Sequence, residues 1–194
     1  MHGHIFGWKE IRVAVARGRV VVTGIGAMTP LGRTPDLFWN NLVAGKSGIG
    51  PMTLCDPTDY PCRIAGEVRD FDPAEYIGGR EARRMARFSQ LAVAAALTAV
   101  EAARLDMSRE ERFRVGVILG NGNGGFPTLE ENCRILADRG GMRMSPFFFP
   151  MVLPNMAAAA VGRFVGAHGY NSTATTACAA SNQAIGEALE VIRR

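Results

Sequence analysis

Three kinds of feature are missing from this sequence: a paired cysteine motif, a long apolar run and a secretory signal. Its four cysteines form no CxxC pair and no Cys/His cluster with metal-ligand spacing, so neither a zinc site nor a redox pair is predicted. They form no recognisable disulfide framework, which favours a reducing compartment, and we expect the cytoplasm. Apolar runs such as residues 91–100 are too short to cross a bilayer, so no membrane partner is expected.

The beginning of the chain differs in character from the rest. Residues 1–18 lack an apolar core followed by a cleavage site and show no amphipathic pattern. We expect them to form an irregular basic extension, and residues 19–194 to form one domain. Because 47% of all residues are apolar, a domain of this size can bury a substantial core.

The charge is modest and is carried almost entirely by arginine. Lysine and arginine number 22 against 18 acidic residues, a net charge of +4, and no basic stripe interleaved with aromatic residues accompanies it. Nucleic acid is therefore not an expected partner. Arg80, Arg83, Arg84 and Arg87 stand at i, i+3, i+4 and i+7 and would share one helical face. Such a face is either simply solvated or a docking surface for an acidic partner.

Strand-like and helix-like segments alternate along the chain. Strands are predicted at 19–24, 63–68, 115–119 and 170–176. Helices are predicted at 34–44, 80–105, 128–137, 155–164 and after residue 180, with Ser108 and Glu111 as a capping box for a short extra helix. Thr34 is the expected N-cap of the first helix, with Pro35 in its first turn. The apolar middle of the helix at 80–105, residues 91–100, is expected to be buried. The alternation predicts an α/β fold, in which helices cover both faces of a layered sheet.

Cys178 lies where the last predicted strand gives way to a helix. The small residues that follow it suit a sharp turn, and the free N–H groups of a helix N-terminus favour a thiolate. Position alone is equally compatible with a buried structural cysteine.

Two glycine clusters could suggest nucleotide binding. Residues 120–125 fit the spacing G-x-G-x-x-G, but we expect Pro127 to delay the helix, and no strand ending in an acidic residue follows. The cluster at 24–26 runs into a turn. Dinucleotide binding is therefore not predicted.

Several ordered motifs together carry a family resemblance. These are residues 20–26 (VVVTGIG), 45–49 (GKSGI), 145–148 (SPFF) and 176–178 (TAC). With them, residues 19–194 resemble the first half of the β-ketoacyl-acyl-carrier-protein synthases, above all the type II elongating enzymes of fatty acid synthesis. The resemblance implies a thiolase-like fold, a duplicated α-β-α-β-α sandwich with a layered mixed sheet, of which this chain matches the N-terminal half.

The resemblance also implies a chemistry. Cys178 would accept an acyl group from acyl carrier protein and condense it, by a decarboxylative Claisen reaction, with malonyl carrier protein. No cofactor and no metal are implied. The two decarboxylation histidines of the family belong to the second half, and none of His2, His4 and His168 matches them. We therefore expect the 194-residue chain alone to be inactive in condensation.

Other family positions carry over residue by residue. Phe148 matches a phenylalanine that reaches across a homodimer to border the acyl pocket of the other subunit. Asn123 occupies a pocket position that is usually apolar, so a chain-length inference does not transfer; Ser181 and Asn182 also depart from the usual small residues. Positions that meet the acidic carrier protein are matched by four arginines: Arg80, Arg83, Arg84 and Arg143.

Two alternatives to fatty acid elongation stay open. A polyketide-type ketosynthase uses the same chemistry, although residues 175–180 (TTACAA) do not match its usual DTACSS signature. A half-fold used only for dimerisation or carrier binding would need no thiol at this turn.

Overall fold

The computed structural model describes residues 18–194. Nearly all of the expected N-terminal extension, with His2 and His4, lies outside the described residues. The α-helices are α1 Pro35–Val43, α2 Ala74–Ile77, α3 Gly79–Ala82, α4 Arg87–Ala102, α5 Phe126–Arg139, α6 Phe148–Val152, α7 Met156–Val165 and α8 Ala180–Arg193. The strands are β1 Ile49–Pro51, β2 Ile64–Gly66, β3 Val117–Gly120 and β4 Asn171–Ala174. Short 3-10 turns span Arg112–Arg114, Gly141–Arg143 and Ala177–Ala179.

Strands β3 and β4 form a parallel pair between two helices. Val117 pairs with Asn171 and Gly120 with Ala174. The side chain of Val117 faces Gly162 of α7, whereas Gly120 meets the backbone of Ala180 in α8. Because side chains three residues apart in a strand point to opposite faces, α7 and α8 cover opposite faces of this pair. The predicted α/β layering is confirmed.

The core lies between the long helix α4 and helix α7. Val93 and Ala94 of α4 and Ala157 and Ala158 of α7 are fully buried. Small residues let the two helices approach closely. The predicted burial of residues 91–100 is confirmed for Val93 and Ala94, whereas the other eight residues are half-buried. Within residues 18–194, no helix is both long and apolar enough to cross a membrane.

The long helix predicted from residue 80 to 105 is broken into two. Ala86 has an extended backbone, with ψ of 157°, between α3 and α4. The side-chain amide of Gln90 stabilises the break, since its Nε2 donates to the carbonyls of Ala82 at 2.8 Å and Met85 at 3.0 Å. The four arginines therefore do not lie on one continuous helical face, and that prediction is wrong.

The strand predicted at 19–24 is not formed. This segment has no strand partner within the described residues, and Val21 and Val22 are 64% and 80% exposed. It instead passes close to α4, because a Cβ added at Gly24 or Gly26 would lie 2.3 Å from Ala99 O or 1.9 Å from Ala95 O. An extended backbone without a neighbouring strand makes no ladder, whatever its β propensity.

Local signals at helix ends met mixed outcomes. For α1 they were correct: Thr34 caps the helix by accepting a hydrogen bond from Leu37 N at 3.2 Å. The capping box at Ser108 is wrong, because Ser108 Oγ donates to Asp106 Oδ1 at 2.7 Å and only the 3-10 turn Arg112–Arg114 follows. Asp106 competes for the hydroxyl that a capping box requires.

The antiparallel hairpin of β1 and β2 carries a loop held by one carboxylate. Glu67 accepts hydrogen bonds from the backbone N–H groups of Leu54 and Thr53, and from the hydroxyl of Thr53 at 2.7 Å. Its side chain is only 7% exposed. These hydrogen bonds, with a smaller contribution from Arg69, lower the pKa of Glu67 to about 2.

Candidate active site

Cys178 lies in a tight turn between β4 and α8. The strand ends at Ala174, the 3-10 turn Ala177–Ala179 carries the cysteine, and α8 begins at Ala180. Ala177 has a φ of 51°, a left-handed conformation that is costly for a residue with a side chain. The thiol of Cys178 is exposed, so the alternative of a buried structural cysteine is wrong.

Backbone contacts from β3 fix the base of this turn. Asn121 N donates to Ala174 O at 2.9 Å, and Asn121 Nδ2 donates to Pro154 O at 3.1 Å. At the end of the same strand, a Cβ added at Gly120 would lie 2.3 Å from Ala180 O, so only glycine permits this approach of β3 to α8. The start of α8 is therefore positioned by main-chain atoms.

The glycine-rich loop after β3 lies beside the Cys178 turn. A Cβ at Gly122 would be 3.8 Å from the backbone of Ala177, next to the cysteine. Asn123 follows with an exposed side chain, and its Oδ1 accepts a hydrogen bond from Gly124 N at 2.9 Å. The loop thus brings Asn123 to the neighbourhood of Cys178.

The end of the glycine loop contacts the helix that carries Phe148. Gly125 has a φ of 73°, and a Cβ there would lie 2.6 Å from Met151 O in α6. Phe148 begins that helix, is half-buried, and its ring meets Phe149 edge-on at 5.2 Å between centroids. The glycine-rich loop therefore lies between the Cys178 turn and α6 and contacts both.

The structure around the glycine-rich loop can be compared with that of a dinucleotide-binding fingerprint. Helix α5 begins at Phe126 with Pro127 in its first turn, so the expectation that Pro127 delays the helix is wrong. The next strand is β4, which ends at Ala174 and is followed by two threonines. A dinucleotide fingerprint requires an acidic residue there, so the fingerprint remains incomplete.

The arginines of the predicted docking surface differ in their contacts. Arg80 and Arg83 are exposed and have no carboxylate within ion-pair distance among residues 18–194. Arg84 lies over the Phe147 ring at 4.9 Å, next to Phe148. Arg87 is directed inward instead, where it donates to Val68 O and lies over the Phe71 ring at 5.5 Å.

An acidic residue moderates this basic surface. Glu81 pairs with Arg163 at 2.7 Å and lies 3.7 Å from Arg84. The hydrogen bond and charge of Arg163, with smaller contributions from Arg84 and Arg80, lower the pKa of Glu81. Glu81 is thus largely matched by Arg163, and the surface keeps a positive balance.

Arg143 and His168 lie apart from these contacts. Arg143 is exposed at the end of the 3-10 turn before α6. His168 precedes β4, where its backbone N–H donates to Arg112 O at 2.9 Å and its ring contacts Phe113. Cys178 follows the other end of that strand, and four residues of strand span about 13 Å. His168 is therefore not a partner of the thiol.

Two side-chain interactions that sequence reasoning missed hold parts of the site together. Thr176 Oγ1 donates to Gln183 Oε1 at 2.8 Å, which links the residues on either side of the Cys178 turn. Asn132, 3% exposed, accepts from Ser145 N at 3.0 Å and ties the segment before α6 to α5. A Thr–Gln pair seven residues apart has no recognisable sequence signature. From the sequence alone, a polar residue such as Asn132 on a helix is expected to face solvent.

Comparison with known proteins agrees with this geometry. The family model described as "Beta-ketoacyl synthase, N-terminal domain" matches residues 17–194. The 3-oxoacyl-[acyl-carrier-protein] synthase 2 of Synechocystis is 43% identical over 90% of this chain and 42% of its own length. That of Staphylococcus aureus strain COL is 42% identical over 91% of this chain and 42% of its own length. The chain thus spans less than half the length of these relatives.

Solved structures show the same fold. The ishigamide ketosynthase/chain length factor superposes with a TM-score of 0.78 at 30% identity, over 92% of this chain and 45% of that one. A type II polyketide ketosynthase solved with its acyl-carrier protein gives 0.75 at 28% identity, over 89% of this chain and 46% of that one. The fold is therefore thiolase-like, and the chain belongs to the β-ketoacyl synthase family, whose N-terminal domain it carries.

Proposed function

We propose that this chain carries the nucleophile half of a 3-oxoacyl-acyl-carrier-protein synthase of fatty acid elongation. The observation that carries the proposal is the exposed Cys178 thiol on a strained turn at the start of α8. The first N–H groups of a helix have no intrahelical acceptor and favour negative charge beside them. They favour both a thiolate and the oxyanion that forms when it attacks a carbonyl.

The reaction proceeds in two stages. The Cys178 thiolate attacks the thioester of an acyl carrier protein, the acyl group passes to sulfur, and the carrier thiol leaves with a proton. Malonyl carrier protein then loses CO2, and its carbanion attacks the acyl-cysteine. A carbon–carbon bond forms, the carbon–sulfur bond to Cys178 breaks, and the carrier holds a 3-oxoacyl chain two carbons longer. The backbone N–H of Cys178 is one donor to the oxyanion.

The acyl pocket is proposed to adjoin the glycine loop. Asn123 lies in this loop, between its contact with the Cys178 turn and its contact with α6, and Phe148 is the first residue of α6. An amide at position 123 presents polar atoms where a purely apolar wall would favour a plain acyl chain. No cofactor enters the proposed reaction.

Acyl carrier protein is the proposed partner. Arg80, Arg83 and Arg84 form a basic surface that abuts Phe147, one residue before Phe148, and Arg143 lies upstream of the same helix. An acidic carrier protein docked there is steered by charge toward the pocket entrance. One solved relative is itself a ketosynthase in complex with its acyl-carrier protein.

A homodimer is proposed as the working assembly. Strand β4 pairs only with β3 within residues 18–194, so one of its edges is free to pair. The proposed role of Phe148 also requires a second subunit. The four free cysteines support a reducing compartment, for which we propose the cytoplasm.

Of the two other functions, the polyketide ketosynthase is the second candidate. It is favoured by the fold match to a type II polyketide ketosynthase at 28% identity. The two 3-oxoacyl-[acyl-carrier-protein] synthases match at 42–43% identity, which supports elongation more strongly. A purely structural half-fold is disfavoured by the exposed thiol of Cys178.

Labelling of cysteines with a ketosynthase inhibitor such as cerulenin tests the proposal. All four thiols are exposed, so Cys55, Cys62 and Cys133 serve as internal controls for simple accessibility. We expect selective modification of Cys178 by peptide mass spectrometry, lost in the C178A variant. Equal labelling of all four thiols would favour the structural half-fold.

A further inference from the structure

We propose that Gln183 is a positioning residue for Cys178, acting through Thr176; this inference rests on the proposed nucleophilic role of Cys178. Thr176 precedes the 3-10 turn and Gln183 lies one turn into α8. Their side chains meet at 2.8 Å between Thr176 Oγ1 and Gln183 Oε1. The hydrogen bond therefore closes across the segment that carries the thiol.

The turn needs such a closure because its backbone is strained. Ala177, between Thr176 and Cys178, has a φ of 51°. Alanine leaves this conformation readily unless its surroundings over-determine it. The backbone supplies one restraint at this end, Ala179 N to Thr176 O at 3.1 Å. The side-chain bond to Gln183 is a second one, and it ties the turn to the rigid body of α8.

Loss of this restraint has a definite chemical consequence. When Ala177 relaxes toward an ordinary φ, the peptide before Cys178 rotates, and the thiol is displaced relative to the free N–H groups at the start of α8. The helix field acts only within its first turn, so a small displacement weakens the preference for thiolate. A net side-chain hydrogen bond shifts such an equilibrium by about 2- to 10-fold.

The chain offers a closely matched set of variants. Q183M and T176V keep the size of each side chain and remove the hydrogen bond. The control is N182L, because neighbouring Asn182 is also exposed on α8 and its side chain makes no hydrogen bond within the described residues.

The measurement is the rate of alkylation of Cys178 by iodoacetamide, followed by peptide mass spectrometry from pH 5 to 10 on the 194-residue chain. We expect Q183M and T176V each to lower the rate at pH 7 by about 2- to 10-fold and to raise the midpoint of the pH profile. The double variant should show no further loss, since both changes remove one interaction. N182L should behave as wild type.

Other results would overturn the inference. These are an unchanged rate in Q183M, a loss in N182L as large as in Q183M, or effects of Q183M and T176V that add in the double variant. Far-UV circular dichroism and the unfolding midpoint separate misfolding from a local effect. A local effect changes the pH profile and leaves both of these measurements as in wild type, whereas misfolding changes them too. Failure of the proposed function is a different result: wild-type Cys178 would then react no faster than Cys55, Cys62 and Cys133.

Discussion

Replacement of Gly120 by alanine should both destabilise the chain and displace the proposed nucleophile. An added Cβ would lie 2.3 Å from Ala180 O, 2.4 Å from Ala180 C and 2.5 Å from Ser181 N. These are main-chain atoms and cannot rotate away. Non-bonded carbon atoms prefer separations of about 3.5–4.0 Å, so β3 and α8 must move apart by about 1 Å.

The cost follows from the size of that displacement. Overpacking of this kind costs about 1–3 kcal/mol, and the rigid contact places G120A toward the upper end. With a urea m-value of about 2–3 kcal/mol/M, the unfolding midpoint should fall by about 1 M. G122A is the matched control in the same loop, because a Cβ there would lie 3.8 Å from Ala177, an ordinary contact distance. Its free energy of unfolding should change by less than about 0.5 kcal/mol.

Urea unfolding followed by circular dichroism measures the stability of both variants, and the rate of iodoacetamide labelling measures the reactivity of Cys178. We expect G120A to lower the midpoint and to change the labelling rate, and G122A to do neither. A midpoint for G120A equal to that of G122A would refute the conclusion that close backbone approach sets the start of α8.

Three further outcomes are expected. R83E and R84E should weaken the binding of acyl carrier protein, more at low than at high salt, whereas the control R109E should not. Affinities of R83E and R84E that calorimetry finds unchanged at low salt would contradict the proposal that these arginines bind the carrier protein. The folded-state pKa of Glu67 is about 2, below its ordinary 4.5, so its contribution to stability is present above pH 4.5 and is lost as pH falls through 2. In thermal unfolding, E67Q should therefore lose less stability than wild type between pH 5 and pH 2. Equal losses in the two proteins would count against this role of Glu67. The 194-residue chain should form no 3-oxoacyl product from acyl and malonyl carrier proteins, since the one histidine among the described residues, His168, lies at the far end of β4; a clear rate in a product assay would disprove this.

The sequence predicted what local patterns determine. The cap of α1, the bounds of α5 and α7 to within two residues, and the strand–turn–helix around Cys178 follow from residue type and periodicity. It failed where distant groups decide the outcome. The break before α4 is bridged by hydrogen bonds from the side chain of Gln90, and the strand at 19–24 needs a partner strand that its own residues cannot supply.

The candidate site divides in the same way. Cys178 was predicted as the nucleophile because a motif and a turn coincide in the sequence. The role of Arg87 was mistaken, since its inward contacts with Val68 and Phe71 come from a loop almost twenty residues away. The Thr176–Gln183 hydrogen bond was missed because its meaning depends on the φ of Ala177, which no residue type at that position announces.

The segment at residues 19–26 has a consequence for amide hydrogen exchange. Two glycines seat it against α4, yet its N–H groups have no acceptor within the described residues. Packing and hydrogen-bond protection are therefore separated here, although exchange protection is commonly taken as a measure of local order. A deuterium-uptake map would mark this segment as open even while its backbone stays in van der Waals contact with the helix.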